Sequence, residues 1–189
     1  LNDPVMLKLA EDCYWFSIAD GVSLLWVQAI AAGYKFDVEV DEPDVSPLQV
    51  QGPNSAQLMA NVFGDWVHDL GFYRFKEFNH EGIPIVIARM GYSRELCYEI
   101  FLQDHSKGDE LWECLWQAGQ DLNISAGGPN IILRLEGGIL SYLSDLDRTN
   151  NPYEVGLDWM IDLDQEDDFI GKEALREINI KGPLKKLMG

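Results

Sequence analysis

The chain has 189 residues, 47% hydrophobic and 11% aromatic, which excludes a disordered or low-complexity protein and allows one or two domains with real cores. Its 14 Lys and Arg against 32 Asp and Glu leave a net charge of −18. That argues against nucleic-acid or membrane partners, since anionic surfaces are bound through basic patches, and no apolar run approaches the ~18–20 residues of a membrane helix.

The chain opens on Leu1 without a signal-peptide pattern, so a missing N-terminus is expected. Residues 4–19 alternate loosely and end in the aromatic-rich "CYWFSIAD", which suits a strand. Asp20 to Ser23 reads as a helix start. Leu24, Leu25, Val27 and Ile30 follow at helical spacing, and Gly33 is a natural stop. "YKFDVEV" (34–40) then alternates apolar and charged residues, as a half-exposed strand does. "DEPDVSP" (41–47), with two prolines, is the best linker candidate.

After this linker the expected order is strand "LQVQG", helix Ser55 to Phe63, strand "FYRFKEF", turn "NHEG", strand "IPIVIARM" and strand "LCYEIFL". A second helix runs from Ser106 to about Leu122, with Leu111, Trp112, Leu115 and Trp116 at helical spacing. This is close to a β-α-β-β-α-β order and favours an α+β fold of the ferredoxin-like sandwich type. "LRLEGGILSYL" reads either as a helix with a Gly-Gly break or as a helix followed by a strand. The tail holds "NPYEVGLDWMIDLD", an acidic turn "QEDD" and a short helix "GKEALREI"; the chain is expected to continue beyond Gly189.

Cys13, Cys97 and Cys114 are odd in number, widely spaced and set among apolar residues, so they read as buried, reduced thiols of a cytoplasmic protein. There is no CxxC pair, and His68, His80 and His105 have no ligand spacing, so no metal site is expected.

Glu99 is the misfit. On a strand it shares a face with Cys97 and Phe101, while Tyr98, Ile100 and Leu102 point the other way. A carboxylate among apolar residues must be protonated, paired or bound to a ligand. Two readings stand: a salt bridge to Arg89, Arg94 or Arg134, or acceptance of two N–H bonds from a planar, donor-rich heterocycle. Asp3, followed by Pro4, reads on its own as a turn residue. "VQGPNSAQLM" reads as a strand-to-helix turn with Asn54 or Ser55 as N-cap. It is not a phosphate loop, and no dinucleotide fingerprint, nucleophile elbow or zinc-protease motif occurs.

Five motifs in order, "LQVQGPNSAQLM", "ARMGYSRELCYEIFL", "ILRLEGGILSY", "NPYEVGLDWMIDLD" and "DFIGKEAL", resemble the tetrahydrofolate-dependent aminomethyltransferase superfamily, the group of the glycine-cleavage T-protein. "LNDPVMLKL", "EDCYWFSIAD" and "EPDVSPLQVQGP" look more like its demethylase branch, which includes dimethylsulfoniopropionate demethylase. The resemblance implies a three-part protein with folate in a central channel. This chain would supply the end of the first subdomain (1–42), the ferredoxin-like second subdomain (43–150) and a connection towards an absent C-terminal barrel (151–189).

Carried over residue by residue, the family's folate-side aspartate falls on Asp3 and the strand residue against the pterin on Trp15. Its motif tyrosine falls on Tyr92 and its pterin-binding glutamate on Glu99. Two departures are visible. Ser93, Arg94 and Glu95 replace Thr-Gly-Glu, and Asn130 stands where the T-protein has a folate-contacting arginine.

The implied activity is transfer of a methyl group from a small-molecule methyl donor to N5 of tetrahydrofolate. The alternatives are a glycine-cleavage aminomethyltransferase, which would need a lipoyl carrier protein as partner, and a folate-binding protein without catalysis.

Overall fold

The computed structural model describes residues 2–18, 23–93, 95–128 and 130–188. They form two compact units, one of residues 1–23 with 140–189 and the other of residues 24–139.

The larger unit is built on a four-stranded antiparallel sheet of β3 (Ser46–Gln51), β4 (Phe75–His80), β5 (Ile83–Ala88) and β6 (Cys97–Leu102), in the order β3-β6-β5-β4. Helices α2 (Ser55–Phe63) and α3 (Gly108–Ala118) pack on one face. Ile83, Ile85 and Ile87 of β5 and Tyr98, Ile100 and Leu102 of β6 meet Leu58, Met59 and Phe63 of α2 and Leu111 and Leu115 of α3 there. Because strand side chains alternate, this core commits Cys97, Glu99 and Phe101 to the opposite face. The expected α+β sandwich is therefore present. The chain runs β-α-β-β-β-α here, so β4, β5 and β6 form a meander and β3 closes it against β6.

The turn into α2 works differently from a simple cap. Asn54 occupies the N-cap position without a side-chain cap bond and instead donates Nδ2 to the Leu122 carbonyl at 3.1 Å. Ser55 donates its hydroxyl to the Leu96 carbonyl at 3.0 Å, and the Gly52 N–H reaches the same oxygen at 2.9 Å. Both bonds tie the turn to the entry of β6. Gly52, with φ of 112°, takes a backbone conformation that a side chain would strain.

Two expectations change and one ambiguity resolves. "YKFDVEV" is no strand: α1 (Leu24–Tyr34) runs into it, and residues 36–40 have no strand partner among the described residues. Alternation without a neighbouring ladder leaves Tyr34 and Phe36 stacked on each other at the surface, 5.5 Å apart. The segment is held instead by Gln28 of α1, whose amide donates to the Val40 carbonyl at 2.8 Å. The expected helix start at Asp20 lies outside the described residues. Cys13 is exposed rather than buried and Cys114 is half-buried; only Cys97 fits the expectation of a buried thiol. The "LRLEGGILSYL" ambiguity resolves into the short helix α4 (Ile131–Glu136), ended at Gly137 and Gly138, and a turn whose Tyr142 forms one isolated bridge to Leu146.

In the smaller unit β1 (Val5–Lys8) pairs antiparallel with β2 (Tyr14–Ser17), and α5 (Lys172–Lys181) closes the tail. Lys172 is buried, and its ammonium donates to the carbonyls of Gln165 (2.6 Å) and Asp167 (2.9 Å). This bond pattern folds the acidic turn back onto the start of α5.

Ile100 is fully enclosed at the centre of the core, whereas Trp112 lies on the outer side of α3 against Trp116. Ile100→Ala is expected to lower unfolding free energy by ~2–5 kcal/mol in urea titration, and Trp112→Ala by about 1 kcal/mol or less.

Candidate functional site

Glu99 lies at the centre of β6, flanked in the ladder by Gln49 of β3 and Ala88 of β5. It is half-buried. Desolvation pushes its carboxyl up from the ordinary 4.5 to about 7. No hydrogen bond or ion pair joins it to any described residue. Two of the three arginines that could have paired with it are engaged elsewhere: Arg89 donates to the Leu70 carbonyl at 3.0 Å, and buried Arg134 donates to the Ile139 carbonyl at 2.8 Å. Arg94 lies outside the described residues. A half-buried carboxyl without a donor is either held protonated or completed by a donor from outside these residues.

The loop that carries Tyr92 is fixed by contacts to this same face. Gly91 lies so close to β6 that a Cβ there would sit 2.6 Å from Cys97 Cβ and collide with Cys97 Sγ, so no side chain fits without displacing the loop. At the far side, a Cβ on Gly137 would come within 3.2 Å of the Ser93 and Leu133 carbonyl oxygens. Ser93, buried, donates to Gln51 Oε1 at 2.8 Å. Gln51 Oε1 also accepts from Gln49 Nε2 at 3.1 Å, and Gln49 Nε2 donates to Cys97 Sγ at 3.0 Å. This polar chain runs from the Tyr92 loop to the strand beside Glu99. Tyr92 is half-buried, and its hydroxyl has no hydrogen-bond partner among the described residues.

Sequence reasoning did not single out Gln49, Gln51 or Gly91, and named Ser93 only as a departure from the family motif. The period-two spacing of Gln49 with Gln51 and of Cys97 with Glu99 is the signal that places the first pair and the second on one sheet face. The register that joins them is a tertiary fact.

The structure places Tyr92 and Glu99 in the larger unit and Asp3 and Trp15 in the smaller one. Trp15 stands opposite Leu7 in the two-stranded ladder and is half-buried. Asp3 precedes β1, and its N–H is taken by the Asn2 side chain at 2.9 Å. The Asp3 carboxyl is raised above its ordinary value by desolvation, opposed by a bond from its own backbone. The residue as a whole is exposed, so the shift comes from crowding around the carboxyl rather than full enclosure.

Asn130, where the resemblance places the family arginine, caps α4. Its Oδ1 accepts from the N–H groups of Ile132 (2.9 Å) and Leu133 (3.3 Å), which is the ordinary work of an N-cap. The described residues include two cavities of about 190 Å³, one in each unit, the first lined by Glu154 and Lys185 among others and the second by Ser93, Glu95 and Leu133. Both fall below the ~300–1,000 Å³ of ligand pockets, and Glu99 lines neither. No group of three or more metal-ligating side chains occurs among the described residues.

Known proteins resemble this chain in sequence and fold. Dimethylsulfoniopropionate demethylase DmdA of Ruegeria pomeroyi is 48% identical over 187 residues, 99% of this chain and 51% of that protein. An aminomethyltransferase of Halothermothrix orenii is 40% identical over 194 residues, covering 100% of this chain and 54% of that protein. The crystal structure of the glycine cleavage system aminomethyltransferase T from Bartonella henselae superposes with a TM-score of 0.79 at 26% identity, over 97% of this chain and 50% of that one. The chain thus spans about half the length of the curated relatives it matches. Residues 1–165 match the GCVT N-terminal domain, and the chain belongs to that family.

Proposed function

We propose that this chain is part of a tetrahydrofolate-dependent methyltransferase that moves a methyl group from a small methylated donor to N5 of tetrahydrofolate. The observation that carries the reading is Glu99: a half-buried carboxylate, raised to about 7 and without a donor among the described residues. The two adjacent N–H groups of a pterin's aminopyrimidine edge match such an acceptor in geometry and number. Similarity to a dimethylsulfoniopropionate demethylase supports the methyl-transfer branch over aminomethyl transfer. The cap role of Asn130 points the same way, since the T-protein arginine is replaced by a residue occupied with its own helix. A lipoyl carrier belongs only to the aminomethyl alternative. The setting we propose is the cytoplasm; no helix among the described residues is long and apolar enough to cross a membrane.

Bound tetrahydrofolate supplies the N5 nucleophile that receives the methyl group. The chain's own work is orientation, which can lower a barrier by ~7–11 kcal/mol when reacting atoms are held in line. Glu99 would hold the pterin edge through its two carboxylate oxygens. Tyr92 is suited to shield the ring from water, and the family resemblance gives Trp15 the same kind of role. Asp3, whose carboxyl is already raised by desolvation, is suited to take up a proton at its carboxylate oxygen or to stabilise positive charge beside the reacting nitrogen.

In calorimetry on the complete protein, Glu99→Gln is expected to weaken tetrahydrofolate binding by at least tenfold, because an amide returns only one acceptor where the carboxylate offered two. Unchanged affinity would remove Glu99 from the folate site. Asp3→Asn is expected to abolish most turnover, followed as 5-methyltetrahydrofolate formed, while folate affinity stays within about threefold. A parallel loss of binding would assign Asp3 to ligand holding instead.

Glu99 also makes a pH prediction for the unliganded protein. Its folded value is about 7 against 4.5, so between these values the folded chain binds the extra proton. Its contribution to stability is therefore full below about 4.5 and is lost as pH rises through about 7. Thermal unfolding from pH 5 to 8 should show this decline, at most on the order of 3 kcal/mol, and Glu99→Gln should remove that part of the slope. An unaltered slope in the variant would show that Glu99 titrates normally.

A further inference from the structure

Gln49 stands directly across the β3–β6 ladder from Glu99, and the two side chains share one face of the sheet. Cross-strand neighbours of this kind ordinarily interact, and an amide beside a carboxylate ordinarily donates to it. Here the Gln49 amide is drawn elsewhere. Its Nε2 donates to Cys97 Sγ at 3.0 Å and to Gln51 Oε1 at 3.1 Å. An amide nitrogen has two hydrogens, and these two acceptors account for both. Gln51 Oε1 is held in turn by the Ser93 hydroxyl at 2.8 Å.

We propose that Gln49 is a positioning residue, its amide tethered by Cys97 and Gln51 so that the Glu99 carboxylate stays open as an acceptor. Released from the tether, the amide would turn to Glu99, and any ligand would have to displace it. The tether has a second consequence. Ser93 belongs to the loop of Tyr92, so the same chain of bonds that frees Glu99 also fixes the loop beside it. Gly91 comes against this chain too, with Gln49 Nε2 3.3 Å from the place a Cβ would occupy.

Among the described residues of this face, Glu99 is the carboxyl pushed up towards neutrality. β3 contributes only uncharged Gln49 and Gln51 beside it, and β5 contributes Ala88. On β6 Cys97 stays a neutral thiol, pushed up to about 11, first by desolvation and also by Glu99 itself. Glu77 of β4 shares the face but lies beyond β5. The link from this tether to folate rests on the function proposed above; the tether itself is read without folate.

The test is carbon-13 NMR titration of the Glu99 carboxyl in the complete protein. Three forms are compared: wild type, Cys97→Ala with Gln51→Leu, and that pair with Gln49→Leu added. Freeing the amide should lower the Glu99 midpoint by about one pH unit or more in the double variant. Adding Gln49→Leu should return the midpoint to the wild-type value. An unchanged midpoint in the double variant overturns the proposal, and so does a drop that persists without Gln49. Should the double variant not fold, Cys97→Val with Gln51→Leu, which removes both acceptors while refilling the thiol's space, carries the same comparison with the same two readings. Tetrahydrofolate affinity is measured on the same proteins. If the midpoints behave as described but affinity does not fall in the double variant and recover in the triple, the tether stands and the folate assignment of Glu99 falls.

Discussion

The pairing of β6 between β3 and β5 is the constraint on which the rest depends. One face of that strand must carry Tyr98, Ile100 and Leu102 into the core beneath α2 and α3. Strand geometry then leaves no choice for Glu99: its side chain goes to the other face, at mid-sheet, where water is only partly available. A slip of one residue in either ladder would exchange the two sets and put the carboxylate into the apolar core. The site is thus held by the same interaction that holds the fold. The turn bonds from Gly52 and Ser55 to the Leu96 carbonyl secure the register at the strand's entry.

Around that strand the chain spends small residues and polar side chains on positioning. Gly91 permits the loop after β5 to lie against Cys97, and Gly137 permits the end of α4 to approach Ser93. The bonds from Ser93 through Gln51 and Gln49 to Cys97 are individually modest, about 1 kcal/mol each. Their effect is directional rather than large: they set where the donors point and leave one acceptor without a partner. A chain selected for stability alone would satisfy Glu99 or replace it. Retention of an acceptor that destabilises the unliganded fold at neutral pH is what a binding site looks like from the side of stability.

Much of the larger unit was legible in the sequence. Helix α2 falls on its expected span, Ser55 to Phe63, because apolar spacing and a glycine stop agree there. The strands β5 and β6 are β-branched and aromatic runs with clear ends. Glu99 was recognisable as a misfit, and period two placed it with Cys97. What the residues alone could not say was which partner it had; that required knowing where Arg89 and Arg134 reach. The segment 34–40 shows the opposite failure. Its alternation is as clean as any in the chain, yet a strand needs a neighbour, and the sequence of one segment does not reveal whether a neighbour exists. Asn54 and Ser55 had the right identities for caps, but their hydrogen bonds go to Leu122 and Leu96, distant in sequence. The roles of Asp3 and Trp15 came from the family resemblance, since nothing in their local pattern distinguishes them from turn and strand residues.

The central claim is that the Glu99 carboxylate is the acceptor for the pterin edge. A crystal structure of the complete protein with tetrahydrofolate bound tests it most directly. Two nitrogen atoms of the aminopyrimidine edge are expected within hydrogen-bond distance, about 2.7–3.2 Å, of the Glu99 oxygens, with Tyr92 beside the ring. A pterin bound elsewhere, or Glu99 paired with an arginine while folate occupies its site, would contradict it.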